Sequence, residues 1–327
     1  MRHPFISTPS WLASTKQKAI TKPQMITLSV LSLNCWHGLD HRNPYLMWPL
    51  ESQGERKRRL AQLTSNLRHW KMSQPGLCLV SLQELNPVIK LARKMRKTLS
   101  LNFESFRVNH GLKIGLVSYP FYLSEGLASF WSPNLKLLST SRLDLSGSAW
   151  GFRQSNASPF CLQLKECRGA LFNLLKFGQK TLLHINTHLH HSQNEEGIER
   201  RLSEIRTILN HVDSHYSGAD ITCLTGDLNC WEGGSEFELL HEAGFKENSE
   251  RKLGTWNPIA NPLCSKLLRL DHPALDNKPV APMHLDHILV KVASSSVVES
   301  TPVKMEFTDS RSLCSDHYGT SCTLSLD

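Results

Sequence analysis

The sequence contains short apolar runs that end abruptly in polar side chains. The run Ile221–Leu224 is followed at 225–229 by Thr-Gly-Asp-Leu-Asn. Runs of this length, bounded by turn residues, are typical of buried strands. A glycine permits a tight turn, and Asp227 and Asn229, two residues apart, can face the same side of an extended backbone. Taken alone, this Gly-Asp-x-Asn is best explained as an Asx turn that closes a strand.

The same pattern recurs along the chain. Five predicted strands end in polar residues, namely Asn34, Gln83-Glu84, His188, Asp227-x-Asn229 and Asp316-His317, and a sixth polar residue, Asp286, begins another strand. Each has an ordinary explanation as a turn residue, a cap or a buried histidine. Together they favour a ligand site, because loops at the edge of a sheet gather side chains from distant strands.

The apolar periodicity also predicts the secondary structure around these residues. Strands are predicted over 26–33, 77–82 and 285–290, with a hairpin of 169–177 and 180–187. Amphipathic helices are predicted from Glu55 onward and over 198–212, and Ser235 with Glu238 suggests a capping box. The segments 101–165 and 254–283 are predicted to be rich in loops, apart from a strand that begins near Gly126.

Composition limits the class of protein. A hydrophobic content of 40% and a charged content of 20% are typical of a globular chain with a sizeable core, and no apolar run is long enough to span a membrane. The nine cysteines include no Cys-x-x-Cys pair, which favours reduced thiols. The net charge of +8 weakly favours a polyanionic partner, although the basic residues at 56–59 are best explained as a solvated helix face.

Residues 1–24 are basic, rich in Ser and Thr, and interrupted by three prolines. This composition predicts either a poorly ordered tail or an organelle-targeting segment ahead of one domain over 25–327. Outside such targeting, the reduced cysteines favour an intracellular, cytoplasmic location. The oligomeric state stays open.

The series of motifs resembles the endonuclease/exonuclease/phosphatase superfamily, to which pancreatic deoxyribonuclease and the neutral sphingomyelinases belong. The matching segments, in the family's order, are Leu33–Trp36, Leu82–Glu84, Asn186–His190, Gly226–Asn229, Leu285–Leu289 and Ser315–His317. The resemblance implies an α+β fold, a four-layer α/β/β/α sandwich of two packed mixed sheets with outer helices. It also implies a site at one rim of the two sheets.

The resemblance further implies a metal site and a set of catalytic residues. Glu84 corresponds to the principal metal ligand, supported by Asn34 and Asp316, and such oxygen ligands suit Mg²⁺ or Mn²⁺. Asp286 pairs with His317, an arrangement that fixes the imidazole tautomer. His188 donates to a phosphate oxygen, and Asp227 and Asn229 orient the attacking water. Whether Asp227 or His317 is the base, and whether one metal ion or two bind, stays open.

The implied activity is hydrolysis of a phosphodiester, either a phospholipid or a nucleic acid. Many nucleases of the family carry an acid where this chain has Trp36, and the motif resembles the sphingomyelinase branch. Trp256 and nearby prolines could contact lipid, so peripheral membrane contact is one hypothesis. The charge of +8 keeps a DNA or RNA nuclease as the alternative, and a non-catalytic binding module is the third hypothesis.

Overall fold

The computed structural model describes most of the chain beyond the N-terminal tail. The described residues are 26–39, 49–109, 112–114, 117–119, 124–147, 149–151, 160–163, 166–248, 254–271, 280–293 and 298–326. The predicted tail of residues 1–24 lies outside them. None of the helices in these ranges is long and apolar enough to cross a membrane.

Five helices and sixteen strands make up the described fold. The helices are α1 (Gln53–Ser73), α2 (Val88–Leu99), α3 (Glu195–His215), α4 (Ser235–Glu242) and α5 (Pro262–Asp271). The first eight strands are β1 (Ile26–Asn34), β2 (Leu77–Leu85), β3 (Asn102–Asn109), β4 (Leu112–Ile114), β5 (Val117–Tyr119), β6 (Glu125–Trp131), β7 (Lys136–Ser146) and β8 (Ala149–Gly151). The others are β9 (Phe160–Gln163), β10 (Arg168–Phe177), β11 (Lys180–His188), β12 (Ile221–Asp227), β13 (Asp286–Val292), β14 (Val298–Ser300), β15 (Lys304–Glu306) and β16 (Gly319–Leu326).

Two mixed sheets form the centre of the molecule. One has the order β14-β16-β1-β2-β6-β3, with β15 also paired to β16, and the other has the order β13-β12-β11-β10-β7. Within them β1 is parallel to β2, and β11 is parallel to β12. A small third sheet has the order β5-β4-β9-β8.

Three apolar layers hold this arrangement together. Leu28, Val30 and Leu79 of the first sheet belong to the same buried cluster as Ile221 and Cys223 of the second. Helices α1 and α2 pack on the outer face of the first sheet, and α3 and α4 pack on the outer face of the second. The order helix, sheet, sheet, helix confirms the predicted four-layer α+β sandwich.

Several predictions of local structure were wrong. The predicted capping box at Ser235 does not form, because the N-cap is Gly234, which has no side chain, and a capping box forms instead between Ser52 and Glu55. The strand predicted to begin near Gly126 is confirmed as β6, but the segment 101–165 also contains β3 and β7, and the predicted loop 254–283 contains α5. Helix α5 begins at Pro262, a residue suited to the first helical position, and the side chain of Asn261 accepts hydrogen bonds from its first amides.

The basic run at the start of α1 is not solvated throughout. Arg59 is half-buried, and its guanidinium pairs with Glu51 at 2.6 Å and donates to the carbonyl of Cys35 at 2.7 Å. It also lies 4.7 Å from the ring centroid of Trp36. Arg59 therefore supports the loop after β1 instead of facing solvent.

The prediction of reduced cysteines holds for the eight that are described, all of which are buried and unbridged.

Candidate active site

Strand register brings the polar strand ends to one rim. Asn34 at the end of β1 lies beside Gln83 of β2, and His188 at the end of β11 lies beside Asp227 of β12. Because both pairs of strands are parallel, each pair has its carboxyl ends at the same edge of its sheet. Asp286 begins the antiparallel strand β13 directly opposite Asp227.

Asn34 joins the two sheets at this rim. Its amide nitrogen donates to Oε1 of Glu84 and to Oδ2 of Asp227, each at 2.9 Å. The other carboxylate oxygen of Glu84 accepts from the backbone amide of His37 at 3.0 Å. Side chains 193 residues apart in the chain thus share one hydrogen-bond network.

The backbone is strained at three of these positions. Trp36, Glu84 and Asn229 have φ angles of 51°, 52° and 52°, in the left-handed region that residues with a Cβ rarely occupy. The pairing of β2 with β6 is also irregular between Leu82 and Leu85, which flank Gln83-Glu84. Such conformations cost on the order of 1–3 kcal/mol each and cluster at functional sites.

His317 has a carboxylate partner behind its ring. Its Nδ1 lies 2.7 Å from Oδ2 of Asp286, and its Nε2 lies 3.8 Å from Oδ2 of Asp227. Burial alone would lower the pKa of His317, but the carboxylates of Asp286, Asp227 and Asp316 raise it well above its ordinary value. The ring therefore donates from Nδ1 to Asp286 and presents Nε2 to the cleft.

His188 has a cationic partner instead. Its Nδ1 lies 3.1 Å from Nη1 of Arg168, and its Nε2 lies 3.5 Å from Oδ2 of Asp227. Burial and the neighbouring charge of Arg168 lower the pKa of His188 well below its ordinary value. His188 thus has a cation behind its ring and lies beside the same carboxylate that His317 faces.

The remaining predicted residues also lie in this cleft. Asp316 accepts from Ser315 Oγ at 3.2 Å, and the same hydroxyl donates to the carbonyl of Asn34 at 2.6 Å. The amide nitrogen of Asn229 donates to the carbonyl of Leu189 at 3.0 Å, and its backbone amide donates to Asp227 Oδ1 at 3.0 Å. All eight predicted site residues therefore meet at the rim, while their chemical roles stay predictions.

The acidic side chains are chemically suited to a hard cation. Burial raises the pKa of Asp227 to about 7, and burial with the nearby charge of Glu84 raises that of Asp316 to about 6. Carboxylate oxygens are the ligands that Mg²⁺ prefers. The amide of Asn34 turns its nitrogen toward Glu84, and its oxygen accepts from the backbone amide of Trp36 at 3.0 Å. In this orientation Glu84 and Asp316 would supply the oxygen donors to a cation, and ligation by Asn34 would require its amide to turn over.

Two groups of three side chains among the described residues have the spacing of a cation site, and one of these groups lies at the rim. Single ligand atoms of Asp227, Asp286 and His317 lie within 4.8 Å of one another. Nδ1 of His317 already bonds Asp286, however, so this group fits a proton-transfer pair at least as well as a ligand set.

The cleft has a polar floor and an apolar wall. Its volume is about 270 Å³, and its charged or ionisable lining residues are Glu84, His188, His191, Asp227, Asp316 and His317. The wall consists of Trp36, Leu39, Leu50, Trp256, Leu267, Leu268, Met283 and Leu285. Among the lining residues in the described part of the chain there is no lysine or arginine.

His287 anchors strand β13 beside the cleft. Its Nδ1 lies 2.9 Å from Oε2 of Glu247, and its Nε2 lies 2.9 Å from the carbonyl of Cys230. Both partners are acceptors, so the ring is held as an imidazolium, and the pKa of His287 is raised by Glu247 despite burial. Because Asp286 precedes His287, this ion pair also fixes the strand that carries the partner of His317.

Known structures with the same architecture cover nearly the whole chain. TDP2 of D. rerio complexed with a single-strand DNA product matches with a TM-score of 0.59 and 18% identity, over 91% of this chain and 98% of that one. The catalytic domain of human Nocturnin with bound sulfate matches with a TM-score of 0.59 and 14% identity, over 92% of this chain and 94% of that one. An endonuclease/exonuclease/phosphatase family protein from Bacteroides thetaiotaomicron matches with a TM-score of 0.58 and 14% identity, over 93% of this chain and 99% of that one. The chain has the endonuclease/exonuclease/phosphatase fold.

At these identities the likeness establishes the fold of the chain. No family model matches the sequence, and no curated protein matches it significantly. The endonuclease/exonuclease/phosphatase fold therefore rests on tertiary structure and on the short motifs at its rim.

Sequence reasoning missed two buried charged residues near the site of this endonuclease/exonuclease/phosphatase fold. Arg168 begins β10, and Glu125 begins β6, and only 3% and 5% of their surfaces are exposed. Neither lies in a recognisable motif. The only signal in the sequence is that Arg168 precedes Gly169, which pairs with His188 in the predicted hairpin.

Glu125 leads to a prediction on stability. Burial and the charges of Glu84 and Glu166 raise its pKa to about 8, against an unfolded value of about 4.3. The folded state therefore holds this proton more tightly, and the associated stability is lost as the pH rises through about 8. Glu125→Gln should flatten the decline of unfolding free energy between pH 5 and pH 8.5. Urea denaturation in EDTA at each pH measures the unfolding free energy, and the variant Glu238→Gln, at an exposed residue, is the matched control. If Glu125→Gln leaves the dependence of the unfolding free energy on pH unchanged, the raised pKa of Glu125 is contradicted.

Proposed function

We propose that this protein is a divalent-cation-dependent phosphodiesterase that cleaves its substrate by attack of water. The observation that carries the proposal is the charge of the cleft, in which three carboxylates and no described lysine or arginine line the floor. Beside Glu84, Asp227 and Asp316 a phosphate group is repelled by negative charge, and a bound cation would offset that repulsion. His188 and His317 supply nitrogen donors at the same place.

Glu84 and Asp316 would hold the cation, which is Mg²⁺ or Mn²⁺, with Asn34 as a further ligand after its amide turns over. When bound, the cation supplies polarisation of a phosphoryl oxygen and stabilisation of the leaving oxygen. The number of ions, one or two, stays open, because a second ion between Asp227, Asp286 and His317 would compete with the hydrogen bond from Nδ1 of His317 to Asp286.

The protein's own residues would handle the water and its proton. Asp227 accepts hydrogen bonds at the centre of the site, and its backbone partner Asn229 holds the loop that orients the water. His317, held by Asp286, is suited to exchange a proton through Nε2. His188 donates from Nε2 to a non-bridging phosphate oxygen as negative charge develops there.

The apolar wall supports a phosphodiester of sphingomyelin type as the substrate. A polymer with many phosphates is normally bound by lysine and arginine along a groove, and the described cleft lining offers none. Two loops that line the cleft also carry exposed apolar residues, since Trp231 is 44% exposed and Ile259 is 69% exposed. These side chains are suited to peripheral contact with a lipid surface.

A nuclease is the second candidate. TDP2 of D. rerio, which has the same fold, is complexed with a single-strand DNA product, and the net charge of this chain is +8. Trp36 and Trp256 on the wall could stack on bases as well as contact acyl chains.

A substrate panel tests these proposals. The purified full-length chain is incubated with Mg²⁺ or with EDTA against sphingomyelin in mixed micelles, single-stranded and supercoiled DNA, RNA and inositol phosphates. We expect Mg²⁺-dependent cleavage of sphingomyelin and none in EDTA. Cleavage of DNA or RNA alone would favour the nuclease, and no hydrolysis with either Mg²⁺ or Mn²⁺ would favour a binding module.

A further inference from the structure

Two of the three histidines that line the cleft, His188 and His317, are held by groups of opposite charge. Nδ1 of His317 faces the carboxylate of Asp286 at 2.7 Å, whereas Nδ1 of His188 faces the guanidinium of Arg168 at 3.1 Å. A carboxylate accepts a hydrogen bond, but a guanidinium has only donors and does not lose its proton. Nδ1 of His317 must therefore be protonated, and Nδ1 of His188 must be unprotonated.

We propose that Arg168 is a positioning residue that holds His188 as the neutral imidazole with its proton on Nε2. Because Arg168 donates to Nδ1, that nitrogen must be the acceptor, and the single ring proton is on the opposite side. Nε2 lies 3.5 Å from Oδ2 of Asp227 and therefore directs its N–H into the cleft.

The fold holds Arg168 firmly in this position. β10 is antiparallel to β11, and Gly169 pairs with His188, so Arg168 lies beside the end of β11. Its Nη2 lies 3.1 Å from Oε1 of Glu166 and 3.1 Å from Nδ1 of His191, and only 3% of its surface is exposed. These contacts fix the guanidinium plane, so Nη1 points at His188.

This arrangement divides the work between two residues of the same type. His188 can donate a hydrogen bond to a phosphate oxygen, but it has no lone pair free for the proton of the attacking water. His317, with Nδ1–H on Asp286, presents Nε2 for proton transfer. The tautomer of His188 does not depend on the proposed function. The consequence of that tautomer for catalysis rests on the proposed function.

Nitrogen NMR of the intact chain tests the tautomer directly. Long-range ¹H–¹⁵N spectra of histidine-labelled protein distinguish a protonated ring nitrogen from an unprotonated one, and His188→Gln assigns the signals by their loss. We expect native His188 to have unprotonated Nδ1 and protonated Nε2. Arg168→Met should release this preference, Arg168→Lys should retain it, and the His317 signals should stay unchanged in both.

Native His188 with its proton on Nδ1 would overturn the proposal without reference to any variant. A folded Arg168→Met protein with unchanged His188 signals would also overturn it. If Arg168→Met does not fold, the native and Arg168→Lys spectra still decide.

Activity provides the second readout. Loss of an oriented donor typically lowers kcat about 10²–10³-fold, and a similar loss with little change in KM is expected for Arg168→Met. Arg168→Lys should recover most of the rate, and exposed Arg142→Gln serves as the control. A native protein with the expected tautomer but no activity on any substrate would contradict the proposed function and leave the positioning role standing.

Discussion

Replacing Glu84 by glutamine should abolish cation-dependent hydrolysis while the fold stays intact. Glutamate and glutamine have the same shape. The carboxylate of Glu84 accepts from Asn34 at 2.9 Å and from the backbone amide of His37 at 3.0 Å, and the side-chain oxygen of glutamine can still accept one of these two hydrogen bonds. What is lost is the negative charge that offsets the cost of stripping water from the cation.

Two measurements separate loss of the cation from loss of the fold. The rate is titrated with Mg²⁺, and the thermal midpoint is compared with and without Mg²⁺, because a ligand of the native state raises that midpoint. We expect Mg²⁺ to raise the thermal midpoint of the native protein but not that of Glu84→Gln. The control variant Glu238→Gln, at an exposed residue of α4, should show the same rise as the native protein. Full Mg²⁺-dependent activity in Glu84→Gln would contradict the metal assignment.

Replacing His317 by alanine should lower kcat at pH 7 by several orders of magnitude. A group that acts as the general acid or base is usually worth about 10²–10⁴-fold. Its Nε2 faces Asp227 at 3.8 Å, and its other nitrogen is held at 2.7 Å by Asp286, so no other described side chain can take over this geometry.

His317→Ala also leaves the buried carboxylate of Asp286 without its partner, which itself destabilises the fold. His317→Gln retains a donor toward Asp286 and is therefore the stricter test of proton transfer. His215→Ala, at the exposed end of α3, is the matched control. A loss smaller than about tenfold in both His317 variants would exclude His317 as the sole acid or base and would favour Asp227.

The elements that the sequence predicted well are those with a buried face. β2 is a nearly continuous apolar run and β1 is mostly apolar, because both faces of their sheet are covered, and α3 has a regular apolar stripe. β7 was missed because it lies at the edge of its sheet, where Ser, Thr and Lys alternate with half-buried residues. α5 was missed because Pro258 and Pro262 obscured it, although Pro262 occupies its first position.

The sequence by itself predicted the strands, because apolar runs mark them, and its six motifs implied the fold class and the rim residues through their resemblance to a known family. The same resemblance paired Asp286 with His317 and gave His188 the role of a donor to phosphate, but no motif indicated which side chain lies behind the ring of His188. Only the tertiary structure placed Arg168 behind the ring of His188, opposite in charge to the Asp286 that His317 bonds. The reason is physical: the proton on an imidazole is located by the charge of its partner, and that partner is chosen by strand register and sheet packing.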